Sequence, residues 1–339
     1  MTTSPTGSTS TTNRRLGRSE LVSSAIGLGT WPIAGAMALE GQALGYTGVD
    51  DAESLRAIAT AVDLGVTLFD TADVYGAGHG ERLLGQALAD HPEVLVATKF
   101  GNTFDESTRQ LLGSDTSPAY VRAALHASLR RLGRDRVDIY QLHVADIPAL
   151  QAAELVAVLE DLVAQGTVRW YGVSTDSPEQ LEPFLDGPHC AILQAQCNVL
   201  DGPAASIGLA HERDLGVLCR SPLAMGLLGG RHTPNTQLPT GDVRRTQPEW
   251  LTWFVDGVPA PEAWRRLSEV RDILTGGGRS LAQGAIAWVL ATDPDGVVVP
   301  GFRTVAQVID TVGTLTATPL TPGELDDVAR VLGRVTIDG

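Results

Sequence analysis

Four polar side chains stand at or just beyond the ends of buried runs of the chain. Asp70 closes VTLFD, Lys99 comes near the end of VLVATKF, and His143 closes VDIYQLH. Tyr75 follows Asp70 by five residues in FDTADVYGAGHGE. Singly, each has a plain structural role. An Asp after a strand caps a turn or helix, a Lys there is solvated, and a His is a satisfied core residue. Together they offer a different chemistry. A free phenol has a pKa of about 10, too high for rapid proton exchange at neutral pH. A nearby ammonium stabilises phenolate, and a carboxylate keeps that ammonium charged and placed. A histidine beside the phenol orients a carbonyl or relays a proton. Such a set protonates an oxygen on which charge develops, as when hydride reaches a carbonyl carbon.

These groups can act together only if the fold brings their strand ends together. One pattern recurs along the chain: a short apolar, β-branched run, a polar or glycine-containing loop, then an amphipathic stretch. The strand-like runs are 24–30, 66–72, 94–100, 137–143, 168–174, 191–199, 217–223 and 296–302. Helical patterns cover 51–65, 81–89, 117–133, 148–166, 177–185, 204–216 and 280–291. Two more, near 304–313 and 322–333, close the chain. Strands apolar along most of their length are parallel strands covered on both faces. Eight of them alternating with helices favour a (β/α)8 TIM barrel over a doubly wound open sheet. The predicted organisation is a disordered Ser/Thr-rich tail over 1–14 and a single barrel domain over 15–339. A short N-terminal β-hairpin at 16–24 plugs the barrel bottom, and extra helices follow at the C-terminus. Barrel chemistry sits at the C-terminal strand ends. Adjacent strands lie about 5 Å apart, so Asp70, Lys99 and His143 crowd one rim. Ser174, Gln194, Arg220, Ser221 and Arg303 fall at or near the later strand ends.

The segments GVTLFDTADVYG, VATKFG and DIYQLHVAD resemble the aldo-keto reductases, and the resemblance runs in order over about residues 15–335. It implies a (β/α)8 barrel using NADPH, without metal or flavin. Tyr75 becomes the general acid/base, Lys99 and Asp70 tune it, and His143 orients the substrate carbonyl. The same resemblance gives a cofactor set. Gly29, Thr30 and Trp31 follow the first strand. Ser174 and Thr175, where the family usually has Ser-Asn, hold the nicotinamide amide with Gln194. Arg220 stands where an aromatic residue often stacks on the nicotinamide. Ser221, Pro222, Leu223 and Gly226 wrap the pyrophosphate. Gly301, Arg303, Gln307 and Thr311 match the adenosine-phosphate site, with Asp310-Thr311 in place of the usual Glu-Asn. An arginine's preference for phosphate makes Arg303 the 2′-phosphate contact and ranks NADPH ahead of NADH.

The remaining features bound the reading. Forty acidic against 25 basic residues give a net charge of −15, which repels nucleic acid and anionic membrane. The densest basic cluster, RRLGRDR at 130–136, reads as a solvated helix end. Cys190, Cys197 and Cys219 form no CxxC and lie in apolar runs, which fits buried thiols in a reducing, cytoplasmic setting. There is no hydrophobic signal region and no run of membrane-spanning length. No HxH occurs, which speaks against a metal-dependent hydrolase. A Schiff-base aldolase could use Lys99 but has no need of Tyr75. A non-catalytic NADPH-binding sensor has no need of the tetrad. Reduction of a C=N bond or an enone is the nearest chemical alternative. Trp31, Trp250 and Trp253, with the insert 36–51 and the long segment 232–264, are expected to wall a pocket for a small carbonyl substrate. Its identity and the oligomeric state are not specified by these residues.

Overall fold

Eight apolar runs buried on both faces must each find a parallel neighbour, and they do so in chain order. The computed structural model describes residues 13–144, 146–246, 248 and 250–334. Its barrel strands are β1 (Leu28–Gly29), β2 (Leu68–Asp70), β3 (Leu95–Phe100), β4 (Val137–Leu142), β5 (Val168–Ser174), β6 (Cys190–Asn198), β7 (Gly216–Arg220) and β8 (Val297–Val299). Each is hydrogen-bonded to the next. Parallel bridges Ile26–Val298 and Gly29–Gly301 close β8 on β1. This is the (β/α)8 barrel that the alternation predicts.

Two apolar layers follow from strand alternation. One set of side chains, including Leu68, Leu95, Ala97, Ile139, Ile192 and Leu218, fills the barrel interior. The other packs outward against the helices. Those helices are α1 (Asp51–Asp63), α2 (His79–Ala87), α3 (Pro118–Leu132), α4 (Ala149–Ala164), α5 (Pro178–Leu181), α6 (Ser206–Glu212), α7 (Pro261–Leu274), α8 (Leu281–Thr292), α9 (Val305–Gly313) and α10 (Pro322–Val331). Local signals set several ends. Ser117 caps α3 by accepting from the Tyr120 amide, Pro118 opens it, and Gly133 ends it in a left-handed conformation. Helix α7 has no counterpart among the predicted elements, because it begins inside the irregular-looking 232–264 segment.

The bottom of the barrel is plugged, with a shifted register. Asn13–Arg15 pairs antiparallel with Val22–Ser24, so 16–21 is the connection and not the first strand. Leu16 and Leu21 in that connection drop into the interior cluster. Asn13 and Arg14 are therefore strand residues, not part of a tail. Residues 1–12 lie outside the described residues. At the opposite end, two loops make a sheet that the sequence does not advertise. Ala38–Leu39 and Gln42–Ala43, from the loop after β1, join Asn102–Asp105 and Gln110–Ser114, from the loop after β3. The segment after β7 contributes a 3-10 turn, Val243–Arg245, and a hairpin, Phe254–Val255 with Val258–Pro259.

The basic cluster at 130–136 is not simply solvated. Arg131 is buried against Glu81, Nε to Oε2 at 2.6 Å. Arg134 donates to the carbonyls of Val94 and His91. The three cysteines are buried and free. No helix among the described residues is long and apolar enough to cross a membrane.

Candidate active site

The rim residues are set by strand register. Asp70 lies opposite Ala97, Lys99 opposite Gln141, and Ser174 opposite Gln194. Lys99 is fully buried and directs Nζ to three oxygens. These are Asp70 Oδ2 at 2.6 Å, the Thr71 carbonyl at 2.8 Å and the Tyr75 hydroxyl at 3.4 Å. Asp70 is fixed from its other side. Gln194 Nε2 donates to Oδ1 at 2.8 Å and Gln141 Nε2 does so at 3.3 Å. Gln141 was not singled out in the sequence, because a mid-strand glutamine resembles any barrel filler. Gly76 delivers the phenol: it sits at φ +60°, and a Cβ there would stand 1.9 Å from the Ala34 carbonyl. Tyr75 is stacked on Trp31 at 5.7 Å between centroids and meets His143 edge-on, also at 5.7 Å.

Charge follows from burial. Desolvation lowers the Lys99 pKa, but the Asp70 carboxylate and its hydrogen bond outweigh it, so the net shift is upward and the ammonium persists. Burial also dominates Tyr75 and raises its pKa; Lys99 pulls the other way and Asp70 adds to the rise. The ammonium's pull on the phenol is thus present, but it does not bring the pKa below the ordinary value. The phenol keeps its proton at neutral pH. Burial, then the positive charges of Lys99 and Arg220, push His143 down to about 3. Its imidazole is neutral, and Nδ1 is buried without a hydrogen-bond partner among the described residues.

Asp70, Tyr75 and His143 line a cleft of about 960 Å³ across the C-terminal face, with Lys99 beneath it. Gly29, Trp31, Ser174, Gln194, Arg220, Ser221, Pro222, Leu223, Gly226, Gly301, Arg303 and Gln307 also line it, as do Trp250 and Trp253. Three selected residues do not. Thr30 is buried beside β2. Thr175 turns away to donate to Gln180 Oε1 at 2.5 Å, and Thr311 is buried in α9. In place of Thr175, Asp176 reaches the cleft and pairs with Arg220 at 2.5 Å. Gln307 accepts from the Arg303 amide at 2.8 Å. Trp253 is buried, its indole donating to Asp201 at 2.8 Å. A separate polar depression of about 530 Å³ lies at the opposite, plugged end, around Arg14, His211 and Asp295.

The cleft suits an anionic dinucleotide on one side. In a chain of net charge −15, four arginines line it: Arg220, Arg231, Arg244 and Arg303. Burial and the neighbouring Arg244 both depress the Arg303 pKa, a strain that an anion between them would relieve. His232 Nδ1 is buried there without a hydrogen-bond partner among the described residues. Ser221, Ala224 and Met225 all take left-handed φ values of 47–56°, a costly run for non-glycine residues that is typical of backbone shaped round a ligand. Arg231, His232 and Arg244 were not legible as site residues, since they lie in irregular chain. Arg303 is tied by Nη2 to the carbonyls of Thr47 at 2.7 Å and Gly48 at 2.6 Å. The Val243 amide donates to Gly45 O at 2.8 Å. The two long loops are thereby laced together beside the cleft.

Residues 25–332 match the Aldo/keto reductase family. The chain belongs to that family. An NADH-specific methylglyoxal reductase of Escherichia coli is 34% identical over 231 residues, 64% of this chain and 69% of that protein. The structure of the glycerol dehydrogenase AKR11B4 from Gluconobacter oxydans is similar with a TM-score of 0.78 at 29% identity, covering 97% of this chain and 98% of that one. An aldo-keto reductase from Klebsiella pneumoniae, solved in complex with NADPH, gives 0.67 at 25% identity, covering 96% and 97%. The protein is thus an oxidoreductase of the aldo/keto reductase family on a (β/α)8 barrel.

Proposed function

We propose that this chain is an NADPH-dependent carbonyl reductase in which Tyr75 is the general acid. The observation that carries the reading is the buried Lys99 ammonium, within hydrogen-bonding distance of both Asp70 and the Tyr75 hydroxyl beneath an arginine-lined cleft. NADPH, held along the arginine side by Arg303, Arg244 and the Ser221–Gly226 loop, would supply the hydride. Everything else falls to side chains of the chain. Tyr75 holds a proton at its hydroxyl and gives it to the carbonyl oxygen as negative charge grows there. Lys99 stabilises the phenolate left behind. Neutral His143 positions the oxygen without competing for the proton.

Tyr75→Phe tests the assignment. NADPH-dependent reduction should fall by about 10²–10⁴-fold, the usual contribution of a placed general acid. NADPH binding, followed by its fluorescence, should persist. Unchanged turnover would remove Tyr75 from the chemistry. The cofactor preference has its own test. A charge-assisted hydrogen bond is worth about 1.5–3 kcal/mol, so Arg303→Ala should weaken NADPH about 10-fold to 100-fold and NADH much less. Equal losses for both would assign Arg303 to another part of the dinucleotide.

A further inference from the structure

We propose that Tyr46 is a positioning residue for the acid: its ring, set between the Arg244 guanidinium and Trp31, holds Trp31 stacked on Tyr75 and ties that stack to the loop at Met225. The inference rests on the reading of Tyr75 as the acid and adds the residue that keeps its ring in place. Among the described residues the Tyr75 hydroxyl has one hydrogen-bond partner, Lys99 Nζ at 3.4 Å. The ring is otherwise left to its neighbours, His143 edge-on and Trp31 face to face, 18° from parallel. Trp31 is itself half-buried and opens a single 3-10 turn, Trp31–Ile33, that has no side-chain cap. An indole so placed can rock unless a neighbour fixes it. Tyr46 meets it at 5.5 Å between centroids with the rings at 83°, the edge-to-face geometry that aromatic pairs favour.

Tyr46 is in turn wedged. It is 4% exposed although it lies in the long loop after β1. Gly45 before it has no room to shift: a Cβ there would stand 2.2 Å from the Gly35 carbonyl oxygen. The Arg244 guanidinium lies over the Tyr46 ring, Cζ 5.1 Å from its centroid, within the range of a cation–π contact. These are contacts of the ring, not of the hydroxyl. Arg244 is kept from swinging away by Asp242, which is fully buried and binds it twice, Nε to Oδ1 at 2.8 Å and Nη2 to Oδ2 at 2.7 Å. Arg244 Nη1 donates to the Met225 carbonyl at 3.1 Å. Met225 is one of the left-handed residues of the loop on the dinucleotide side. One unbroken line of contacts, Met225–Arg244–Tyr46–Trp31–Tyr75, thus joins that loop to the acid. Phosphates that settle the loop steady the phenol along this line, with no ligand atom beside it.

The test uses the full chain labelled with 3-fluorotyrosine. Its five tyrosines give five fluorine resonances, and that of Tyr75 is the one missing from Tyr75→Phe. The titrant is adenosine 2′-phosphate 5′-diphosphate, which has the phosphates of NADPH but no nicotinamide. In the parent protein it should shift the Tyr75 resonance. Tyr46→Leu should bind it about as well as the parent and leave that resonance unmoved. With NADPH and butanal, Tyr46→Leu should lose about 10-fold to 100-fold in kcat, the scale of a misplaced reacting group, with the KM for NADPH little changed. Tyr46→Phe, which keeps the ring, should retain both the shift and the rate. A Tyr75 resonance that ignores the titrant in the parent protein overturns the proposal, whether or not any variant folds. Tyr46→Phe as impaired as Tyr46→Leu assigns the role to the hydroxyl and overturns it too. So does a loss in Tyr46→Leu confined to the KM for NADPH, which makes Tyr46 a cofactor contact. Turnover separates the two readings. A parent protein that shows the shift but reduces no carbonyl sinks the reductase reading alone. Carbonyl reduction that Tyr46→Leu carries out at the parent rate sinks the positioning role alone.

Discussion

At the scale of single residues, the site is an arrangement of charges that burial would otherwise forbid. Among the described residues, Asp70 is the only charged hydrogen-bond partner of Lys99, and both are buried. Removing one member of a buried pair leaves the other uncompensated, at a cost of about 3–5 kcal/mol. Lys99→Met should therefore lower the unfolding free energy by about that amount in urea and abolish reduction. Asp70→Asn added to it should recover part of the stability and none of the activity. His143 gives a pH signature. In the unfolded chain an imidazole takes up a proton below about 6.5; the buried ring does so only near 3. Between those values the unfolded state binds more protons, so stability falls as pH drops through that window. The loss from about pH 7 to about pH 4.5 should be smaller in His143→Gln, measured by denaturant melts at each pH. Tyr75, raised by burial, should leave the reduction rate level through neutral pH. The rate should decline only in the alkaline range where the phenol ionises.

At the scale of elements, the helices that frame the site are pinned by interior polar contacts. Glu81, in the first turn of α2, is fully buried. It accepts from Thr98 Oγ1 of β3 at 2.6 Å and from Arg131 of α3 at 2.6 Å. Thr98 faces the helices while Lys99 faces the rim, so the same strand is clamped from behind where it acts in front. The close approach of α2 and α3 depends on Gly85. A Cβ there would lie 2.6 Å from the Leu132 carbonyl oxygen and 2.7 Å from that of Arg131. Gly85→Ala should gain roughly 0.5–1 kcal/mol of helix propensity. Overpacking against backbone typically costs roughly 1–3 kcal/mol, so the variant should melt below the parent protein; a higher melting temperature would mean that the helices move apart freely. These elements also show what the sequence could reveal. Apolar runs announce barrel strands, so Asp70, Lys99 and His143 were readable as strand-end groups. Arg131 was misread, because its partner Glu81 lies 50 residues away, and a charge with a distant partner looks like a surface charge. The loop sheet escaped notice because its first two strands have only two residues each, too short for any alternation to show. Arg244 lies in irregular chain, and no period marks an arginine that a loop folds into a cleft.

At the scale of the molecule, the barrel carries Lys99 and Asp70 at its strand ends, and long loops shape the cleft above them. The net charge of −15 makes the arginine side of the cleft a local exception. NADPH affinity should therefore weaken with added salt, while binding of a neutral ligand in the cleft should be nearly indifferent to it. Paired titrations at low and high ionic strength check this. Cofactor should also raise the melting temperature, since a ligand at about 100 times its Kd adds about 2.7 kcal/mol to a native state that alone binds it. The barrel seam has a further consequence, for synthesis. Strand β1 meets its second neighbour through the bridges Ile26–Val298 and Gly29–Gly301. On the ribosome, at about 5–20 residues per second, that neighbour emerges about 270 residues and roughly 15–50 s after β1. Until then the nascent sheet is an open ribbon with bare backbone at its leading edge. Closure must be one of the last events in the birth of the molecule, and a chain released before Gly301 has an edge that only a chaperone or another chain can cover.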